Sequence, residues 1–260
     1  MKANRMNKTM KYLSLFALIF FVSTSHAYAA GETIAPPKQH WSFNGLFGTY
    51  DKAQLQRGFQ AYKQVCSACH AMKQLKYRNL AELGYSEAQV KSVAGEYSVQ
   101  DGPNDEGEYF ERPAIPADAF VSPFPNEQAA RYANNGAYPV DMSLIAKARY
   151  SGSDYIYALL TGYKEPPEGE TLRSGQYWNK YYPGHKISMA PPLSDGIIAY
   201  ADGSPETVSQ YAKDISAFLT WAAEPELVTR KQMGIKVLIF LIIFAGIMYG
   251  VKKKIWADLH

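Results

Sequence analysis

Apolar positions in this chain repeat with a helical period in two stretches and run nearly unbroken in two others. Leu55, Phe59, Tyr62 and Val65 fall at i, i+4, i+7 and i+10, one face of a helix. Asp51 stands where an N-cap is needed. Gly58 lies inside this pattern and costs helix stability, which predicts close packing against another helix. A longer stripe holds Val208, Tyr211, Ala212, Ile215, Phe218, Leu219 and Ala222. Ser204 and Pro205 are its predicted N-cap and first residue, and Pro225 its stop. These two helices are expected to cross. Shorter helices are expected near 126–134 and 153–161. Residues 98–126 and 162–195 hold most of the prolines, with many glycines and tyrosines, in runs such as Asp101-Gly102-Pro103-Asn104 and Tyr181-Tyr182-Pro183-Gly184. Those are turn signals, in stretches too aromatic for disorder. Loops wrapped on a core are expected there, with no internal repeat and no second domain.

The unbroken apolar runs lie at the two ends. Lys2, Arg5, Lys8 and Lys11 precede an apolar stretch from Tyr12 to Val22, then small residues with Ala27-Tyr28-Ala29 as a cleavage site. Residues 1–29 thus read as a secretory signal peptide; an uncleaved anchor is the alternative, although the apolar core is short for a span. From Met233 to Val251 the chain is apolar except for Lys236. Nineteen residues reach about 28 Å, close to the hydrocarbon thickness of a bilayer. Lys236 can snorkel. Lys252, Lys253 and Lys254 follow, and place that end in the cytoplasm, with Tyr249 and Trp256 as interfacial anchors. The expected organisation is a signal peptide (1–29), an exported domain (30–229), a transmembrane anchor (230–251) and a cytoplasmic tail (252–260).

Charge changes meaning once it is divided by compartment. The whole chain is formally +3, but the basic residues concentrate in the two ends, so residues 30–229 carry about −6. An acidic exported domain fits a basic protein partner, or a solvated surface, and not nucleic acid.

The candidate chemistry is concentrated in Cys66-Ser67-Ala68-Cys69-His70. Two thiols three residues apart, followed at once by a histidine, form the attachment signature of a c-type haem. Each thiol adds to one vinyl group, and the adjacent imidazole is the proximal iron ligand. A thioredoxin-like pair or half a zinc site would also use C-x-x-C. The chain has only two cysteines and five histidines, which leaves few ligands for zinc. No cysteine is left over for a structural disulfide. One covalent haem c is therefore expected, in a mainly α, cytochrome c-like, haem-centred helical domain with long loop insertions, plus one C-terminal transmembrane helix.

A second axial ligand is needed for a six-coordinate iron, and methionine suits a high potential. Residues 30–229 hold Met72, Met142 and Met189. Met72 is too near His70 to reach the opposite face. Met189, in Ile187-Ser188-Met189-Ala190-Pro191-Pro192-Leu193, is the preferred candidate because the prolines stiffen its loop. Met142 and His185 are the alternatives.

Several segments resemble the cytochrome c1 family, the membrane-anchored haem subunits of cytochrome bc1 complexes: WSFNGLFGTYD (41–51), VCSACH (65–70), VQDGPNDEGEYFERP (99–113), AARYANNGAYPVDMS (129–143), LLTGYKEPPEG (159–169), MAPPLSDG (189–196) and QYAKDISAFLTWAAEPE (210–226). The likeness spans essentially the whole exported chain and the anchor. The interval of 119 positions from His70 to Met189 separates it from small soluble cytochromes c. The resemblance implies an alphaproteobacterial type. It implies Cys66 and Cys69 as haem thioethers, His70 and Met189 as iron ligands, Arg149 as partner of a haem propionate and Tyr155 beside the same group. Many relatives carry two adjacent prolines where this chain has Pro139-Val140, and some bacterial relatives have a disulfide that this chain cannot form.

The resemblance further implies an electron-transfer role. Cytochrome b and the Rieske iron–sulfur protein would be neighbours in a dimeric complex in the bacterial inner membrane. The Rieske protein would reduce this chain, which would reduce a cytochrome c from a periplasmic haem domain, with no substrate bond made here. The alternative is an anchored cytochrome c that shuttles electrons to a terminal oxidase.

Overall fold

The computed structural model describes residues 34–257; the expected signal peptide and its cleavage site lie outside the described residues. In chain order the elements are α1 (Lys52–Gln64), a 3-10 turn (Cys66–Ala68), a 3-10 segment (Tyr77–Leu83), α2 (Glu87–Gly95), β1 (Ser98–Asp101), β2 (Phe110–Pro113), α3 (Glu127–Ala133), α4 (Ile145–Ala148), α5 (Gly152–Thr161), β3 (Tyr177–Trp178), β4 (Lys186–Ile187), α6 (Val208–Ala223) and α7 (Leu227–Ile255). The architecture is mainly helical.

The two periodic stripes form the centre. Asp51 caps α1 by accepting from the amides of Ala53 and Gln54. The predicted face of α1 is buried at Leu55, Phe59 and Tyr62. It lies against α6, whose Tyr211, Ala212, Ile215, Phe218 and Leu219 are buried. Gly58 is the crossing point. A Cβ there would stand 2.2 Å from the Asp214 carbonyl oxygen and 2.5 Å from the Phe218 Cβ. Only glycine lets the two backbones meet at this distance. Aromatic rings fill the space around the crossing: Phe59 and Phe218 have centroids 5.8 Å apart, and Tyr77 stacks on Phe120 at 4.7 Å. Each such side chain, fully buried, contributes about 1.5–3 kcal/mol.

One charge sits within this core. Asp214 is fully buried, and its carboxylate accepts from Arg57, Gln54 and Gln210. Arg57 also reaches Asp202 at 2.7 Å. The network ties α1, α6 and the loop before α6 together, and its full set of partners is what makes a buried carboxylate tolerable. α5 packs on the other side of α6, where Ser153 and Thr220 hydroxyls meet at 2.6 Å.

Two expectations need correction. α6 starts at Val208 with Thr207 as its cap, not at Ser204-Pro205. The Thr207 hydroxyl accepts from Gln210, and Asp195 accepts the amide of Val208. Meanwhile the Glu206 carbonyl is taken by the amide of Gly196, which holds residues 204–206 in a loop pairing. The proline-rich stretches are not loops alone. β1 and β2 form an antiparallel ribbon, Ser98 opposite Pro113 through Asp101 opposite Phe110, and β3 pairs with β4. Arg112 fastens the first ribbon by bridging Asp101 and Asp118. The anchor helix is also longer than the apolar run. α7 has 29 residues, about 43 Å of helix, and begins three residues after α6 ends. It is long and apolar enough to cross a membrane, and none of its apolar window is buried in the protein. The trailing Lys252, Lys253 and Lys254 occupy its last turn, where the helix dipole favours cations.

Candidate haem-attachment site

The Cys66–His70 run folds as a tight continuation of α1. The amides of both Cys69 and His70 donate to the Cys66 carbonyl, at 3.1 and 2.9 Å. The turn buries Cys66 and leaves Cys69 exposed. Ser67 donates its hydroxyl to Lys63, and the buried Tyr62 donates its hydroxyl to the His70 carbonyl at 3.2 Å. Burial pushes the Cys66 thiol up to about 12. A redox C-x-x-C requires the opposite, a stabilised thiolate. Among the described residues no group of three or more His, Cys, Asp or Glu side chains is placed to hold a metal ion.

His70 is oriented by the loop before α4. Its Nδ1 lies 2.8 Å from the Val140 carbonyl oxygen. A carbonyl can only accept, so Nδ1 carries the proton and Nε2 keeps its lone pair for a metal. Burial lowers the pKa of this imidazole and keeps it neutral. The loop itself is stitched to the motif over five residues. The Met142 amide donates to the Ala71 carbonyl, the Lys73 amide to Asp141, and the Gln74 amide to the Ser143 hydroxyl. The working group at position 140 is a backbone carbonyl. A proline there would offer the same acceptor, so the Pro139-Val140 departure leaves the bond to His70 intact. Sequence reasoning missed Val140 as a support because a carbonyl acceptor has no side-chain signature, and Asp141 and Ser143 because they accept from amides nearly 70 residues away.

The preferred second ligand sits in the segment after β4. Met189 is half-buried, and its carbonyl accepts from the Tyr163 hydroxyl at 3.0 Å. Leu193, beyond the two prolines, is anchored in the core. Tyr163 lies near Tyr155 and Tyr177, and burial is the first cause of its raised pKa. Tyr155 is in turn near Arg149 and Tyr182. Tyr155 and Tyr163 thus stand near the Met189 backbone, while His70 and Ala71 are joined to the loop that carries Val140 and Met142. The two alternative ligands have the following surroundings. Met142 packs partly buried against the core. His185 stacks on Trp178 at 4.7 Å, with Nδ1 at 3.2 Å from the Asn179 carbonyl. Arg149 is exposed, donates only to the Ala148 carbonyl, and has no carboxylate partner among the described ion pairs.

The donor set fits a c-type haem. It offers two unpaired thiols on one turn, and an imidazole with a fixed tautomer and a free Nε2. The comparisons with known proteins agree. The model of the Cytochrome C1 family matches residues 41–259. The chain is 51% identical over 264 residues to cytochrome b/c1 of Bradyrhizobium diazoefficiens, covering 93% of this chain and 38% of that longer protein. It is 48% identical over 237 residues to cytochrome c1 of Rhodospirillum rubrum, covering 85% of this chain and 87% of that one. It is 44% identical over 238 residues to the mitochondrial cytochrome c1 heme protein of Saccharomyces cerevisiae, covering 91% and 77%. The matched region takes in the Cys66–His70 turn, the Val140 loop, the Met189 segment and the anchor helix, and on that footing this chain belongs to the cytochrome c1 family.

Proposed function

We propose that this chain is the haem-bearing electron-transfer subunit of a cytochrome bc1 complex, taking electrons from a Rieske iron–sulfur protein and giving them to a cytochrome c during quinol oxidation. The observation that carries it is the match to the Cytochrome C1 family along residues 41–259, which includes the two free thiols and the oriented histidine. Cys66 and Cys69 would hold the haem by thioether bonds. His70 Nε2 and the Met189 sulfur would be the iron ligands, and the exposed guanidinium of Arg149 would pair with a propionate, with Tyr155 beside it. When bound, the haem supplies a one-electron couple at its iron.

The protein's own residues set the conditions for that couple. The Val140 carbonyl holds the His70 ring and raises the electron density it can give. Tyr163 fixes the backbone of Met189, so that a weak thioether ligand stays in place. The aromatic packing of Phe59, Tyr62, Phe120 and Phe218 excludes water from the α1–α6 side. The exported domain would stand in the periplasm of a bacterial inner membrane, with α7 as its single anchor. Cytochrome b is the expected neighbour of that anchor; one relative is named for cytochrome b and c1 together, and this chain spans 38% of it. The complex would be dimeric.

The test is purification of the full chain from its native membrane. Cytochrome b should co-purify with it, and the preparation should reduce cytochrome c with quinol. Met189→Lys should keep the haem covalent but lower its potential by hundreds of millivolts, since axial ligands tune haem over about 0.8 V, and quinol oxidation should stall. Isolation without cytochrome b, in a complex with an oxidase instead, would favour the shuttle alternative.

A further inference from the structure

At the foot of the anchor helix, a turn of the exported domain presents apolar side chains to its surroundings. The turn runs from Asn44 to Gly48. Phe47 is 80% exposed and Leu46 is 59% exposed, although both neighbours in the sequence, Phe43 and Tyr50, pack inward. Two tethers set its height along α7. The Tyr50 hydroxyl donates to the Glu224 carbonyl, above the start of α7. Lys231 donates its ammonium to the carbonyls of both Phe43 and Gly45, at 2.6 and 2.7 Å. From Gly45 to Tyr50 the chain thus rises from the Lys231 tether to the level of Glu224, and Leu46 and Phe47 follow directly on the lower tether.

That tether lies at a definable depth. The apolar run of α7 begins at Met233. Lys231 is two residues earlier, about 3 Å above it along the helix. The headgroup layer on each side of the hydrocarbon is roughly 5–8 Å thick. The tether is therefore within the headgroup layer, and a phenylalanine next to it reaches the acyl boundary. Behind the turn is a cavity of about 380 Å³, lined by Trp41, Asn44, Asp154, Glu224 and Lys231 among others. Its cation, Lys231, has one N–H beyond the two used; Glu224 is already paired with Lys147 and Arg230, and Asp154 accepts from Gln39 and Trp41. The spare donor of Lys231 suits the phosphate of a lipid headgroup.

We propose that the 44–48 turn is a second membrane contact: Leu46 and Phe47 insert at the headgroup–acyl boundary beside α7, and the cavity behind them receives a phospholipid headgroup. A single helix leaves the domain free to swivel about its axis. A second contact, bound to the anchor through Lys231, removes that freedom and holds the domain at one inclination to the membrane. The inference rests on the reading of α7 as a membrane span.

The experiment uses spin labels on the full chain, purified with whatever it assembles with and reconstituted in vesicles of phosphatidylethanolamine and phosphatidylglycerol. Phe47→Cys carries the test label, and Ile242→Cys, 72% exposed on α7, the control. Molecular oxygen collects in lipid and a neutral nickel chelate in water, so the ratio of their collision rates reads depth. Both labels should collide more with oxygen than with nickel, Ile242 most strongly. If Ile242 lies in lipid while Phe47 collides mainly with nickel, the turn is in water and the proposal fails. If Phe47 is shielded from both reagents, a partner protein covers the turn and the proposal fails again. If the Ile242 label collides mainly with nickel, the span itself is wrong. Should the Phe47 label block assembly, Leu46→Cys gives the same reading; loss of assembly in both variants would mean that the turn packs on protein, contrary to the proposal.

Discussion

Gly58→Ala tests how tightly the α1–α6 crossing is closed. In an unconstrained helix this change stabilises by about 1 kcal/mol. Here the new methyl would stand 2.2 Å from the Asp214 carbonyl oxygen and 2.5 Å from the Phe218 Cβ. An ordinary contact is near 3.4 Å, so the helices must part by about 1 Å. Neither obstacle is the tip of a flexible side chain. Overpacking of this kind costs about 1–3 kcal/mol. The displacement also stretches the bonds from Arg57 and Gln54 to the buried Asp214, and disrupting a buried pair entirely costs about 3–5 kcal/mol. With the propensity gain subtracted, a net loss of about 2–4 kcal/mol is expected. For a domain of this size that is a fall in Tm of about 5–15 °C. Gly95→Ala, at the end of α2 with nothing within 4 Å, is the control and should raise Tm by up to a few degrees. Thermal unfolding of the full chain in detergent, followed by circular dichroism, measures both. Equal effects from the two substitutions would refute the claim that the crossing depends on glycine.

Arg57→Met leaves Asp214 buried with only amide partners, and should destabilise by about 3–5 kcal/mol, read as a shift of the denaturant midpoint. Arg112 holds the carboxyls of Asp101 and Asp118 below the usual carboxylate range by hydrogen bonding. Their contribution to the ribbon is therefore present above the unfolded pKa and lost as pH falls through the folded one. Protection of the ribbon amides against hydrogen exchange, relative to the unfolded chain at the same pH, should fall below about pH 4, and should lose that dependence in Arg112→Gln. If the acidic surface steers a basic cytochrome c, its reduction rate should fall as salt shortens the Debye length below about 10 Å. Because Asp101 is already paired with Arg112, the triple change Asp105→Asn, Glu106→Gln and Glu108→Gln should flatten that dependence; stopped-flow rates that ignore salt would remove the steering.

Legibility followed the range of the interactions. The stripes of α1 and α6 were readable because helical period and burial coincide, and Gly58 stood out as a residue that an isolated helix would not choose. The haem motif was readable because its chemistry fixes both residue type and spacing within five positions. The start of α6 was not, because Asp195 and Gly196, more than ten residues upstream in the chain, decide where its first turn is capped. The β1–β2 ribbon escaped notice because its four-residue strands have neither face well buried. The supports of His70 and Met189 come from residues 70 and 26 positions away, through one carbonyl acceptor and one tyrosine hydroxyl. Neither leaves a pattern in the local sequence.

The central claim is that Cys66 and Cys69 bind a haem covalently and that His70 serves its iron. The most direct measurement is the pyridine haemochrome of the denatured full chain after acid–acetone extraction, together with its intact mass. The haem should stay with the polypeptide and give a c-type α band, the mass should rise by one haem, and Cys66→Ala with Cys69→Ala should abolish both. Haem that passes into the organic phase, or a chain whose mass matches the bare polypeptide, would contradict the account.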